Sequence, residues 1–314
     1  MRRLIAAFVF SAVGLGGCER ATEAPAAPES AALDVCLDDG AAPADRRTRC
    51  DEVLAQPALE SAQRAAALSV RGELKRRAGD PTGALADFNA ALALDEALSE
   101  AKLGRAAVLL DSGQLDAAEP LINGVIEQGD APARANYLLG LLRARQGNPD
   151  AARTAFDASV AADNRNAEVF AARGTLRQAH GDEAGAMQDF DAALRLDGPN
   201  REALGGRCWS RVRQSGDLAT ALRDAEAALE VSVRDKTAQL CRGLIQLRRE
   251  DWTEARAAYD AVLLNEPTNA AALYGRGLAR RELGERDEAA DDIRSAFRLD
   301  SGIDREFERL GVDD

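Results

Sequence analysis

Residues 173–197 read RGTLRQAHGDEAGAMQDFDAALRLD, two short amphipathic segments that meet at His180-Gly181-Asp182. The pattern predicts two helices joined by a tight turn. Small residues Gly174 and Ala186, twelve apart, stand where the two helices must approach closely. The same spacing recurs as Gly72/Ala84, Gly140/Ala152 and Gly277/Ala289. Turn glycines recur as Gly79, Gly113, Gly147, Gly181, Gly216 and Gly284, most of them a multiple of 34 residues apart. One repeated unit cannot bury its apolar face alone, so units of this kind stack into a solenoid.

An aromatic stands four residues after the second small residue as Phe88, Phe156, Phe190 and Tyr259, and Ala91, Ala193 and Ala296 hold a small place three further on. With the period of 34, this pattern resembles the tetratricopeptide repeat. The resemblance implies an all-α, right-handed superhelical α-solenoid. It comprises about seven helix-turn-helix units, a degenerate N-terminal unit and a C-terminal capping helix. The units begin near Ala65, Ser99, Ala133, Ala167, Arg201, Lys236 and Ala270 and fill 65–300. The fifth carries one extra residue before Gly216, expected to be absorbed as a bulge or tightened turn near Trp209 to Gln214. Segments within 207–312, among them RCWSRVRQSGDLATALRDAEAAL and ALYGRGLARRELGERDEAADDI, are also similar to a group of tetratricopeptide proteins common in alphaproteobacteria.

Composition agrees with thin, closely packed helices. Of the 314 residues 46% are hydrophobic but only 4% aromatic, and alanine dominates the apolar set. The formal charge of −13 deepens by two if a leader with Arg2 and Arg3 and no acid is removed, which repels a nucleic-acid backbone and argues against that partner.

Residues 1–17 place two arginines before an apolar run and end in small residues, a secretory signal too short to span a membrane. Leu15-Gly16-Gly17-Cys18 resembles the bacterial lipobox, which implies lipidation at Cys18. Glu19 after it, by the same resemblance, favours the outer membrane over the inner and a periplasm-facing protein. Residues 18–32 contain Pro25 and Pro28 without apolar periodicity and are expected to be a flexible tether. Membrane contact would then run through the N-terminal lipid alone.

The remaining four cysteines are an even number in an oxidising compartment. Within 33–64, the degenerate capping repeat, a Cys36–Cys50 bridge would staple a unit weakened by Gly40 and Pro43, contributing about 3 kcal/mol through loop closure. Cys208 and Cys241, on first helices of adjacent units, stay open between a bridge and two buried thiols. Residues 301–314 place Ile303, Phe307 and Leu310 at helical spacing and form the closing helix and tail.

Arginine recurs at the seventh place as Arg71, Arg105, Arg173, Arg207, Arg242 and Arg276, and aspartate on the second helix as Asp87, Asp189, Asp224 and Asp292. Capture of an external carboxylate would not require the aspartates to track the arginines. Structural ion pairs Arg71/Asp87, Arg173/Asp189, Arg207/Asp224 and Arg276/Asp292 are therefore expected. Arg105 and Arg242 lack a matching aspartate and are the better candidates for outside contacts.

The family resemblance implies that first helices line a concave groove. Carried over by place, the candidates are Tyr137, Leu141, Arg145, Trp209, Arg213, Leu244, Arg248, Tyr274 and Arg281. Apolar and aromatic residues edged by arginine suit a peptide or helix with apolar anchors and acidic neighbours.

His180 is the only histidine, which removes arrangements needing a histidine base beside a nucleophile. No phosphate loop, CxxC or HExxH occurs, so no catalytic residue, cofactor or metal site is assigned. The expectation is a non-catalytic periplasmic scaffold for another protein of the envelope. The alternatives are an assembly factor for an outer-membrane complex, or a recruiter of a peptidoglycan- or polysaccharide-processing enzyme.

Overall fold

The protein was analysed as a computed structural model that describes residues 28–38, 40–214 and 216–312. The leader, Cys18 and residues 18–27 of the expected tether lie outside them. The elements run α1 (Pro28–Leu37), α2 (Pro43–Leu54), α3 (Ser61–Arg77), α4 (Pro81–Leu94), α5 (Ser99–Asp111) and α6 (Leu115–Gln128). They continue with α7 (Pro132–Arg145), α8 (Pro149–Ala162), α9 (Ala167–Ala179), α10 (Glu183–Asp197), α11 (Arg201–Gln214) and α12 (Leu218–Val231). The chain closes with α13 (Lys236–Arg248), α14 (Trp252–Leu263), α15 (Ala270–Glu282), α16 (Arg286–Leu299) and α17 (Ile303–Arg309). Among the described residues every element is a helix, and the pairs from α3 to α16 are the seven expected units in a superhelical solenoid.

The fourth unit shows how the local sequence builds one pair. Helix α9 ends at Ala179, and Gly181 turns the chain at φ +80°, a conformation glycine adopts without steric cost. Asp182 then caps α10 by accepting a hydrogen bond from the Gly185 amide at 2.9 Å. In the sixth unit Glu250 makes the same turn at φ +62° although it carries a side chain.

Packing follows from the small residues. The Phe190 ring lies against Gly174 of its own unit and Gly206 of the next, where an added Cβ would stand 2.7 and 2.3 Å from ring atoms. Phe190, Ala186 and Ala193 are all fully buried. Successive first helices also pack on one another, α3 on α5, α5 on α7 and so to α15, whereas successive second helices do not pack to a comparable extent. The first helices therefore form the inner layer of the curve.

Three expectations are adjusted. The first helix begins at Pro28, inside the stretch read as tether, because proline at a helix start loses no hydrogen bond and presets φ. Helix α3 starts at Ser61, four residues ahead of the expected first unit. The extra residue of the fifth unit does not bulge the helix. Helix α11 continues to Gln214, and the Gly216 amide reaches back to the Arg211 carbonyl at 3.2 Å.

Disulfides join Cys36 to Cys50 and Cys208 to Cys241, with Cα atoms 4.9 and 6.5 Å apart. The first ties α1 to α2, and the second ties α11 to α13. At the other end α17 buries Ile303 and Phe307 against the last unit.

Candidate functional site: the inner face and its charges

The arginines and aspartates of the repeat meet within each unit. Arg173 grips Asp189 with two hydrogen bonds, Nε to Oδ2 at 2.9 Å and Nη2 to Oδ1 at 2.7 Å. Arg71 holds Asp87 at 2.8 and 2.7 Å, Arg207 holds Asp224 at 3.0 and 2.6 Å, and Arg276 holds Asp292 at 2.7 and 2.7 Å. All four carboxylates are buried. Burial works to raise the pKa of Asp87, but the hydrogen bonds from Arg71 and Lys75 outweigh it and hold the group below its ordinary value.

Two further sets of contacts complete this ladder. A basic residue one turn after each arginine reaches the same carboxylate: Lys75 at 2.8 Å, Arg177 at 2.7 Å, Arg280 at 2.8 Å, and Arg211. The remaining arm of each arginine extends to an aspartate on the preceding second helix, Arg71 to Asp51, Arg173 to Asp157, Arg207 to Asp191 and Arg276 to Asp260, at 2.7–2.9 Å. Each arginine thus ties three helices, which fixes the stacking of one unit on the last. Sequence reasoning missed both sets. The basic residue was legible at four beyond the arginine, and three of the aspartates at sixteen before it.

Where the ladder lacks its aspartate, the cations behave differently. In the sixth unit Ala258 holds that place, and Arg242 instead donates from Nη2 to Glu254 at 2.7 Å. Its expected availability for outside contacts is corrected to that extent. In the second unit Leu121 holds the place, and Arg105 forms no pair of the ladder type.

On the inner face the N-terminal end is occupied by the chain's own charges. Glu73 of α3 accepts from Arg76 at 2.9 Å, Arg77 at 2.8 Å and, across the second unit, Arg134 of α7 at 3.2 Å. Arg76 reaches Asp111 at 2.9 Å, Arg145 lies 3.7 Å from the same carboxylate, and Arg134 also pairs with Glu100. Burial alone would raise the pKa of Glu73, but Arg76, Arg134 and Arg77 together bring it down to about 2.

Farther along, α7 presents Tyr137 and Leu141, both half-buried, with the tyrosine ring 6.3 Å from that of Phe156. Burial, and then the charges of Glu168 and Glu202, raise the pKa of the Tyr137 hydroxyl. Helix α11 presents Trp209, half-buried, whose indole Nε1 donates to the Thr237 carbonyl at 3.2 Å. The guanidinium of Arg213 stands over that ring at 5.6 Å and donates to Glu183 at 2.9 Å. Glu183 in turn accepts from Ser210 at 2.7 Å, and Gln178 donates to Ser210 at 2.8 Å.

Two candidates leave the groove. Tyr274 is buried edge-on to Phe297 and Phe307, 5.8 and 4.9 Å between centroids, because α17 folds over it. Leu244 is buried in the cluster that holds the fifth to seventh units together. Arg248 and Arg281 line a cavity of about 200 Å³ with Leu247, Trp252, Leu278 and Val312, at the turn edge where the tail returns. Arg248 donates weakly to the Val212 carbonyl at 3.4 Å, and Arg281 stands 3.3 Å from Glu282. Tyr137, Leu141, Arg145, Trp209, Arg213, Arg248 and Arg281 thus remain at least partly exposed, the last two toward the turn edge.

Among the described residues no group of three or more potential ligands is placed to hold a metal ion, and no helix is long and apolar enough to cross a membrane.

A family model described as tetratricopeptide repeat matches residues 69–135, 103–167, 211–263 and 242–302. No curated protein matches the chain. Among solved structures, a chain of the APC/C hetero-tetramer Cut9-Hcn1 is similar over 89% of this chain at 17% identity and a TM-score of 0.64, and this chain spans only 55% of its length. A tetratricopeptide repeat protein from Parabacteroides merdae is similar over 79% of this chain and 99% of its own, at 17% identity and a TM-score of 0.50. At such identities the likeness is one of fold.

Proposed function

The chain belongs to the tetratricopeptide repeat family, and on that premise we propose that it is a non-catalytic, exported scaffold that holds a peptide or helical segment of an envelope protein against its inner face. Members of this family are in general scaffolds that bind other proteins or peptides. The observation that carries the reading is the Trp209–Arg213 plate. An aromatic ring is held by a hydrogen bond at its edge, a guanidinium is held over its face by Glu183, and both stay accessible on the inner layer of helices. Pre-positioned Trp, Tyr and Arg groups lose little freedom when a partner covers them, and they dominate the energy of protein interfaces.

Export and an acyl anchor at Cys18 on the outer membrane belong to the same proposal. They are supported by the leader pattern of residues 1–18 and by two disulfides, which persist in an oxidising compartment. Residues 18–27 would then serve as the tether.

The test is retention of envelope proteins by the purified chain and by Trp209→Ala and Tyr137→Ala variants whose helicity is checked by circular dichroism. A stoichiometric protein partner retained by the native chain and lost with both variants is expected. Retention indifferent to both residues, or retention of saccharide without protein, would contradict the reading. Metabolic labelling with a lipid precursor tests the anchor, and an unlabelled product removes it.

A further inference from the structure

At three of the six junctions between units an aromatic ring lies between two glycines. Phe88 lies between Gly72 and Gly104, Phe190 between Gly174 and Gly206, and Tyr259 between Gly243 and Gly275. In each case one glycine is on the first helix of the ring's own unit and the other on the first helix of the next. An added Cβ at any of these six positions would stand 2.3–2.8 Å from the ring, so each glycine makes room for it, while Phe156 has Gly140 on one side and Ala172 at the other place. Each ring is therefore the part shared between two consecutive inner helices.

All three positions change at two junctions: the second to the third has the buried aliphatics Ala106, Ile122 and Leu138, whereas the fifth to the sixth has smaller groups. Ala225 stands in the ring's place, and the two glycine places are Cys208 and Cys241, which are bonded to each other and fully buried. The covalent bond runs between the same two backbone positions that a ring bridges elsewhere. The junction adjoins the accessible inner face, since Trp209 follows Cys208 and its indole bonds to Thr237 on the partner helix.

We propose that the Cys208–Cys241 bond is a redox latch that stands in for the missing ring, so that reduction turns this junction into a hinge. Oxidised, the solenoid is continuous from the first unit to the closing helix. Reduced, the junction has neither ring nor staple at these three positions, which Ala225 and two thiols then fill. The reductant is a dithiol. Its thiolate attacks one buried sulfur when the junction opens, and its second thiol resolves the mixed disulfide. Two electrons and two protons pass to the cysteines while the dithiol becomes a disulfide. The latch does not depend on the proposed binding role, which enters only in its consequence: a hinged inner face no longer holds Trp209 and α13 in register.

The experiment is hydrogen exchange on the full chain, which needs no partner and so fails independently of the binding proposal. Cys208→Ala/Cys241→Ala removes the latch and leaves Cys36–Cys50 intact. Exchange over α11–α14 should accelerate by about tenfold or more while α3–α8 keep their native rates. A second variant, Cys208→Gly/Ala225→Phe/Cys241→Gly, installs the ring and its two glycines. It should return α11–α14 to within about twofold of the oxidised native rate, with or without dithiothreitol. Unchanged exchange in the first variant would overturn the latch. Failure of the second to fold, or to slow exchange below the first, would overturn the equivalence of ring and bond.

Discussion

Replacing Asp189 by Asn removes one charge from the most deeply buried rung of the ladder. The carboxylate accepts two hydrogen bonds from Arg173 and one from Arg177, with only 4% of its side chain and 11% of that of Arg173 exposed. Breaking a buried pair from one side costs about 3–5 kcal/mol, because the remaining charge stays desolvated. Here Arg173 keeps Asp157 at 2.7 Å and the asparagine keeps one acceptor, so the expected loss is at the low end, about 3 kcal/mol. Asp150→Asn is the control. Its pair with Arg153 is 3.5 Å long, with the two side chains 91% and 60% exposed, and it should change stability by less than about 0.5 kcal/mol. Urea unfolding followed by circular dichroism measures both, with hydrogen exchange over α9 and α10 to locate the loss. Equal stability of Asp189→Asn and the native chain would refute the view that these charges hold helices together. It would revive capture of an external carboxylate by Arg173.

Other consequences follow from the same contacts. Glu73 has a folded pKa of about 2, below its unfolded value, so its contribution is present above about pH 4.5 and is lost as pH falls towards 2. The stability gap between the native chain and Glu73→Gln should therefore be widest near neutrality and close towards pH 2, and a gap independent of pH would contradict the cluster. Tyr274→Ala should cost about 3–5 kcal/mol by analogy with other buried aromatics and release α17 to fast hydrogen exchange, while α9 and α10 keep their native exchange rates. Cys36→Ala/Cys50→Ala should lower stability by about 3 kcal/mol and loosen only α1 and α2, so exchange that spreads past α4 would show that the staple does more than close the end.

The repeat was legible because close packing is written in residue size. Gly174, Ala186 and Phe190 mark where two helices touch, and a Cβ at 174 would stand 2.7 Å from the ring. The ladder was half legible: the tracking of Asp189 with Arg173 points to an ion pair, whereas the reach of Arg177 to the same carboxylate and of Arg173 to Asp157 depends on how three helices stack, which spacing within one unit does not encode. The groove was less legible. Place numbers alone put Tyr274 beside Trp209, but burial of the tyrosine depends on how α17 folds back, which the repeat frame does not encode. Likewise Cys208 and Cys241 were ambiguous because spacing alone does not say whether adjacent first helices bring them within bonding reach, and their Cα atoms stand 6.5 Å apart.

The central claim, a solenoid whose inner face receives a protein, is tested most directly by site-specific photocrosslinking in intact envelopes. The probe stands at Tyr137 on the inner layer or, as reference, at the exposed Glu226 on second helix α12. One protein adduct from position 137 that is absent from position 226 and lost with Trp209→Ala is the predicted result. Adducts of equal yield from both positions, or none from position 137 in envelopes that contain the chain, would contradict it.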